Sequence, residues 1–127
     1  MKTLITSLTV FALSFTALFA KEGTFTSIIF SDADKPVEIH LSSRQWIKII
    51  SFVQNDTDNT KPADRAGIAV YKGDDSLWVL FSTKANESGP NRDVIISGPA
   101  TVLVSPPTTD ATKGGAKVFL TYQRGSD

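Results

Sequence analysis

From residue 24 onward the apolar residues come in eight short runs, none longer than nine residues, separated by Gly, Pro, Asn, Asp and Ser. The runs are TFTSIIF (24–30), VEIHLS (37–42), QWIKIISFV (45–53), GIAVY (67–71), SLWVLFS (76–82), DVIIS (93–97), TVLV (101–104) and KVFLTYQ (117–123). Val, Ile, Phe, Thr, Trp and Tyr dominate them, and these side chains suit a pleated, half-buried surface. No window of eleven residues sustains a helical period. Residues 45–54 come nearest, but they carry too many β-branched side chains, and no cap outweighs them. The rhythm predicts an all-β domain, an antiparallel β-sandwich of about eight strands with jelly-roll-like or Greek-key connections.

Alternation within the runs separates the faces. In VEIHLS, Val37, Ile39 and Leu41 share one face, and Glu38, His40 and Ser42 the other. In KVFLTYQ, Val118, Leu120 and Tyr122 oppose Lys117, Phe119, Thr121 and Gln123. Two runs are apolar on both faces. Strict alternation groups Ile47, Ile49 and Val53 against Trp46, Ile50 and Phe52, and Leu77, Val79 and Phe81 against Trp78 and Leu80. Strands apolar on both sides require cover on both sides. In a two-layer sandwich that cover is a loop or another subunit, so self-association through an apolar outer face is an expectation here.

The connections alternate in length. Residues 31–36, 54–66, 83–92 and 105–116 are long and polar; residues 43–44, 72–75 and 98–100 are short. If chain direction reverses at every strand, all the long connections emerge at one end of the sandwich, where loops carry recognition. Gly73 suits a hairpin position with positive φ, and Pro99 breaks the ladder between its neighbouring runs.

Residues 1–20, MKTLITSLTVFALSFTALFA, have the pattern of a secretory signal peptide: Lys2, an apolar stretch and the small Ala20 before Lys21-Glu22. This predicts a secreted or periplasmic protein with one domain over residues 21–127 and no stable membrane insertion after cleavage. Loss of Lys2 leaves 12 basic and 13 acidic residues of the original 13 and 13, a net charge of −1. That balance gives no electrostatic footprint for nucleic acid. The chain has no Cys, which removes disulfides, thiol catalysis and Cys-based zinc sites from consideration.

The stretch QNDTDNTKPADR (54–65) is the densest cluster of ligand-like side chains. Asp56-x-Asp58 resembles the start of an EF-hand calcium loop, but Lys61 stands where that loop needs Gly and Gly67 where it needs Glu. Calcium is therefore carried only as a cofactor for a non-EF site completed by neighbouring loops, and no metal ligand is assigned. If the long-loop end binds a ligand, its polar residues Asp56, Asp58, Asn59, Asn86, Asn91 and Asp110 are the candidates. Trp46 and Trp78 are the candidate interface or sugar-stacking aromatics, and a shared outer face would favour a glycan site or a subunit interface. The single His40 has no Gly-x-Ser-x-Gly elbow to serve, so no catalytic residue is assigned. The expected function is a non-enzymatic binding or assembly module with a protein partner or a second copy. A carbohydrate- or calcium-binding module and a jelly-roll hydrolase are the alternatives.

Overall fold

The computed structural model describes residues 23–58, 60–85, 87, 93–108 and 113–127. The expected signal segment and Asn59, Asn86, Asn91 and Asp110 lie outside the described residues. All eight runs form strands: β1 (Thr24–Ser31), β2 (Val37–Leu41), β3 (Gln45–Asp56), β4 (Gly67–Lys72), β5 (Asp75–Phe81), β7 (Val94–Ser97), β8 (Ala100–Ser105) and β9 (Ala116–Ser126). A two-residue strand, β6 (Thr83–Lys84), is the one addition. Among the described residues there is no helix.

The strands form two mostly antiparallel sheets. One runs β1-β9-β3, with β7 and β6 pairing successive stretches of the far edge of β3; the other runs β2-β8-β4-β5. Side chains from both contribute to one core, including Phe30, Ile47, Phe52, Val118 and Leu120 from the first and Ile39, Leu41, Ile68, Val102 and Val104 from the second. The arrangement is sandwich-like, because each sheet has one apolar face that only the other can cover. Ile47, Ile68, Val102, Val104, Val118 and Leu120 are fully buried. Each buried aliphatic side chain of this kind contributes about 1.5–3 kcal/mol relative to exposure.

Two bulges correct the expected faces. Between Ile49 and Ser51 the register of β3 against β9 shifts, leaving Ile50 as an extra residue. The phase of alternation changes there. Phe52 therefore joins Ile47 and Ile49 in the core, while Val53 turns outward with Phe119 and Ile50 is exposed. A second shift between Ile68 and Ala69 makes Val79 the extra residue of β5. Trp78 and Phe81 then lie on the same outer face, opposite Ala69 and Gly67, whereas strict alternation separates them.

β6 also departs from the expectation that direction reverses at every crossing. After Phe81 the chain leaves one sheet at Ser82 and joins the other at Thr83 without turning back, so β6 pairs with β3 in parallel. The step makes one continuous strand path serve both sheets. It does not disturb the alternation of the longer strands.

The described parts of the long connections gather at one end, where Ala85 N donates to Gln54 O at 2.8 Å. Asp32 N donates to the Ala116 carbonyl at 3.3 Å, Thr57 N to Gly115 O at 2.9 Å and Gly114 N to Lys61 O at 2.7 Å. At the opposite end Gly98 N donates to Gln45 O and Asp127 N to Arg44 O, each at 2.8 Å. The two-residue Gly73-Asp74 hairpin lies between paired Lys72 and Asp75, with Gly73 at φ 60°. That value is the one a first hairpin position needs and a side chain resists.

Candidate functional site

Two regions concentrate unusual side chains: the polar end where the long connections meet, and the exposed edge at β5.

At the polar end, β3 carries Gln54 onto the inner side of its sheet, where it is fully buried. Its amide nitrogen donates to Asp64 O at 2.7 Å and to Asp56 Oδ1 at 3.0 Å. Its Oε1 accepts from Ala66 N at 2.9 Å and from Ser82 Oγ at 2.7 Å. Gln54 thus ties the 57–66 connection to the point where the chain changes sheets. Beside it, Lys84 Nζ donates to both oxygens of Asp56 at 2.8 and 2.7 Å and to Ala63 O at 2.6 Å. The two side chains are only 13% and 12% exposed. Burial pushes the Asp56 carboxyl up, but the hydrogen bonds from Lys84 and Gln54 and the charges of Lys84 and Arg65 together outweigh it and hold Asp56 below its ordinary range. Arg65 bridges Ser82 O and Glu87, and the hydrogen bond from Arg65 holds the Glu87 carboxyl low.

These residues line a concavity of about 670 Å³ with Asn55, Pro62 and Ala85. Its charges are already engaged with one another. The sequence candidates separate here: Asp56 faces Lys84, Asp58 caps Thr60 through its backbone and hydroxyl, and Asp64 pairs with Lys113. The Thr60 hydroxyl is the main cause that holds the Asp58 carboxyl low. Asp32, from a neighbouring loop, accepts from Ala116 N at 3.1 Å. The three aspartates of the 54–65 stretch therefore do not form one ligand set, and among the described residues no group of three His, Cys, Asp or Glu is placed to hold a metal ion.

The second region is built on small residues. Gly67 and Ala69 of β4 point to the outside of their sheet, and both are buried although among the described residues no element crosses them. The cover is Trp78 and Phe81 from the neighbouring β5. A Cβ on Gly67 would meet the Trp78 ring at 2.7 Å and the Phe81 ring at 3.3 Å, so both rings lie down on the sheet where a side chain would have lifted them. They stack with centroids 5.8 Å apart and planes 22° from parallel. Their far sides remain open: Trp78 is 51% and Phe81 53% exposed. The same outer face continues over Tyr71, Thr101 and His40, which are paired in register across β4, β8 and β2. His40 contacts Thr101 Oγ1 at 3.2 Å and Glu38 at 3.4 Å, on the polar face assigned to it by alternation.

Trp46 does not share this face. It belongs to the other sheet, where its ring packs against Gly125 and is half-buried. The residue that accompanies Trp78 is Phe81, which strict alternation places on the wrong side. The signal that could have found it is Gly67 within GIAVY, a missing side chain in a strand beside an aromatic neighbour.

Leu77, on the opposite face of β5, is 69% exposed. With Val70, Val79, Ile95 and Ile96 it lines a cleft of about 390 Å³ where the edges of the two sheets face each other across β5 and β7. Among the described residues no helix is long and apolar enough to cross a membrane. No protein-family model matches the chain, and no curated protein matches its sequence.

Proposed function

We propose that the chain is an exported, non-enzymatic jelly-roll module that works by binding or assembly through β5 and the outer face of its sheet. The strand orders β1-β9-β3-β7 and β2-β8-β4-β5 support the jelly-roll reading, since eight strands wound as two Greek keys distribute in this way. The observation that carries the functional reading is the Trp78–Phe81 pair, flattened on Gly67 and half open to solvent. Aromatic side chains presented like this are the anchors of interaction surfaces, where they are enriched and energetically dominant. The polar end fits a recognition role less well, because its charged groups satisfy one another and hold the long connections in place.

A second reading is a glycan site, favoured by the flat rings and the adjoining row of Tyr71, Thr101 and His40, which offers hydrogen bonds beside a stacking platform. The experiment is a comparison of the exported protein with its Trp78→Ser variant, both checked for folding by circular dichroism. Mass by analytical ultracentrifugation and retention on a glycan array are the readouts. Either assembly or retention is expected in the natural protein and lost in the variant. A single-chain mass with no retention, or a variant indistinguishable from its parent, refutes the reading.

A further inference from the structure

We infer that the partner at this surface is a second copy of the same chain, added edge to edge along β5; the inference rests on reading β5 as the interaction surface. Among the described residues β5 pairs only with β4, so its other side is an open sheet edge. Open edges are normally guarded by charge, by Pro or by shortness. The opposite edge of the same sheet is guarded: β2 has five residues and carries Glu38 and His40. The stretch from Ser76 to Thr83 has no charged residue and no Pro. Its one interruption is the bulge at Val79, which raises the local twist and limits pairing to a short ladder.

Exposure on both sides of β5 selects the kind of partner. Trp78 and Phe81 are open on the outer face, and Leu77 is open on the inner face, above the cleft that Ile95 also lines. A saccharide on the platform covers the rings and leaves Leu77, Ile95 and the backbone edge wet. A strand laid along β5 covers all of them at once, with alternate side chains reaching the platform and the cleft. The same strand from another copy meets the requirement by symmetry. Antiparallel pairing about a two-fold axis between Trp78 and Val79 sets Leu77 opposite Leu80 and Trp78 opposite Val79, and Asp75 falls opposite the uncharged Ser82, not opposite another carboxylate.

The area is sufficient. At the observed exposures of 69% for Leu77, 51% for Trp78, 53% for Phe81 and 63% for Ile95, these four side chains leave an apolar area on the order of 500 Å² per copy in water. Two copies together bring about 1,000 Å², the lower bound for a specific interface, to which the flanking polar residues add. The other sheet also exposes Phe25 and Ile29, but there the same face is interrupted by the hydrogen-bonded pair Ser27–Thr121 between them.

Sedimentation equilibrium of the exported protein tests this. The expected mass is that of two chains. Leu77→Lys sets a charge into the shared edge of both copies, and the expected result is self-association weakened roughly 100-fold. Leu77 is already exposed, so the variant keeps its fold, which circular dichroism verifies. Glu38→Lys on the opposite edge serves as the matched control and is expected to leave the dimer intact. A dimer unaffected by Leu77→Lys overturns the inference. A single-chain mass with Trp78-dependent glycan retention overturns it while leaving the proposed function standing, and a single-chain mass without retention overturns both.

Discussion

Replacing Lys84 by Met tests how the polar end is held. The substitution keeps the length of the stem and removes the ammonium group. Asp56 loses donors at 2.8 and 2.7 Å, and Ala63 O loses one at 2.6 Å, while Gln54 still donates to Asp56. The Asp56 side chain is 12% exposed, so water cannot fully replace the lost partner. Breaking a fully buried pair costs about 3–5 kcal/mol. The surviving Gln54 bond and the residual exposure reduce this to about 2–3 kcal/mol. For a domain of this size that is a fall in Tm on the order of 10–20 °C. Urea unfolding at several pH values is the assay. In the natural protein Asp56 sits below its ordinary value of 3.8, so its stabilising contribution is complete above that value and lost as pH falls through the lower, folded-state pKa. Without Lys84 the effect of burial has much less opposing it, and the folded-state pKa rises. The deficit of the variant is then largest near neutral pH and shrinks as Asp56 takes up a proton in acid. A midpoint within about 0.5 kcal/mol of the parent at pH 7, or a deficit that does not change between pH 7 and pH 3, refutes the argument.

Two further substitutions probe the rest of the framework. Gln54→Leu keeps the volume but orphans Asp64 O and leaves the Ser82 hydroxyl and Ala66 N to each other; the expected loss is about 3 kcal/mol in urea unfolding, with greater proteolytic cleavage within residues 57–66. Gly67→Val drives a side chain into the Trp78 ring, and the expected result is a loss of about 1–3 kcal/mol, a red shift of tryptophan emission and weakened self-association.

The positions of all eight strands were legible because their signals are local. Short β-branched and aromatic runs, a Gly at the hairpin and Pro after β8 act within a few residues of chain. The gathering of the long connections was legible too, since reversal of direction at each long strand requires it. The faces of β3 and β5 were not. A bulge adds one residue on one strand only, and nothing in QWIKIISFV or SLWVLFS marks Ile50 or Val79 as the extra one. Of the candidate site residues, Trp78 lies on the exposed surface. Asp56 is engaged by Lys84, Asp58 caps Thr60 two residues on, and Trp46 rests on Gly125 in the other sheet.

The chain alone determined strands in place of helices, the length and order of the connections, and the absence of any thiol chemistry, since each follows from the residues present and their spacing. Tertiary structure decided which side chains meet. Lys84 reaches Asp56 only because the chain changes sheets at Ser82, and Phe81 joins Trp78 because the bulge at Val79 turns both to one face and β4 offers a Gly beneath them. Lys84 and Asp56 lie 28 positions apart, and the two rings 11 and 14 positions from Gly67. Their geometry is fixed by how two twisted sheets close over a common core, a property no single stretch of sequence contains.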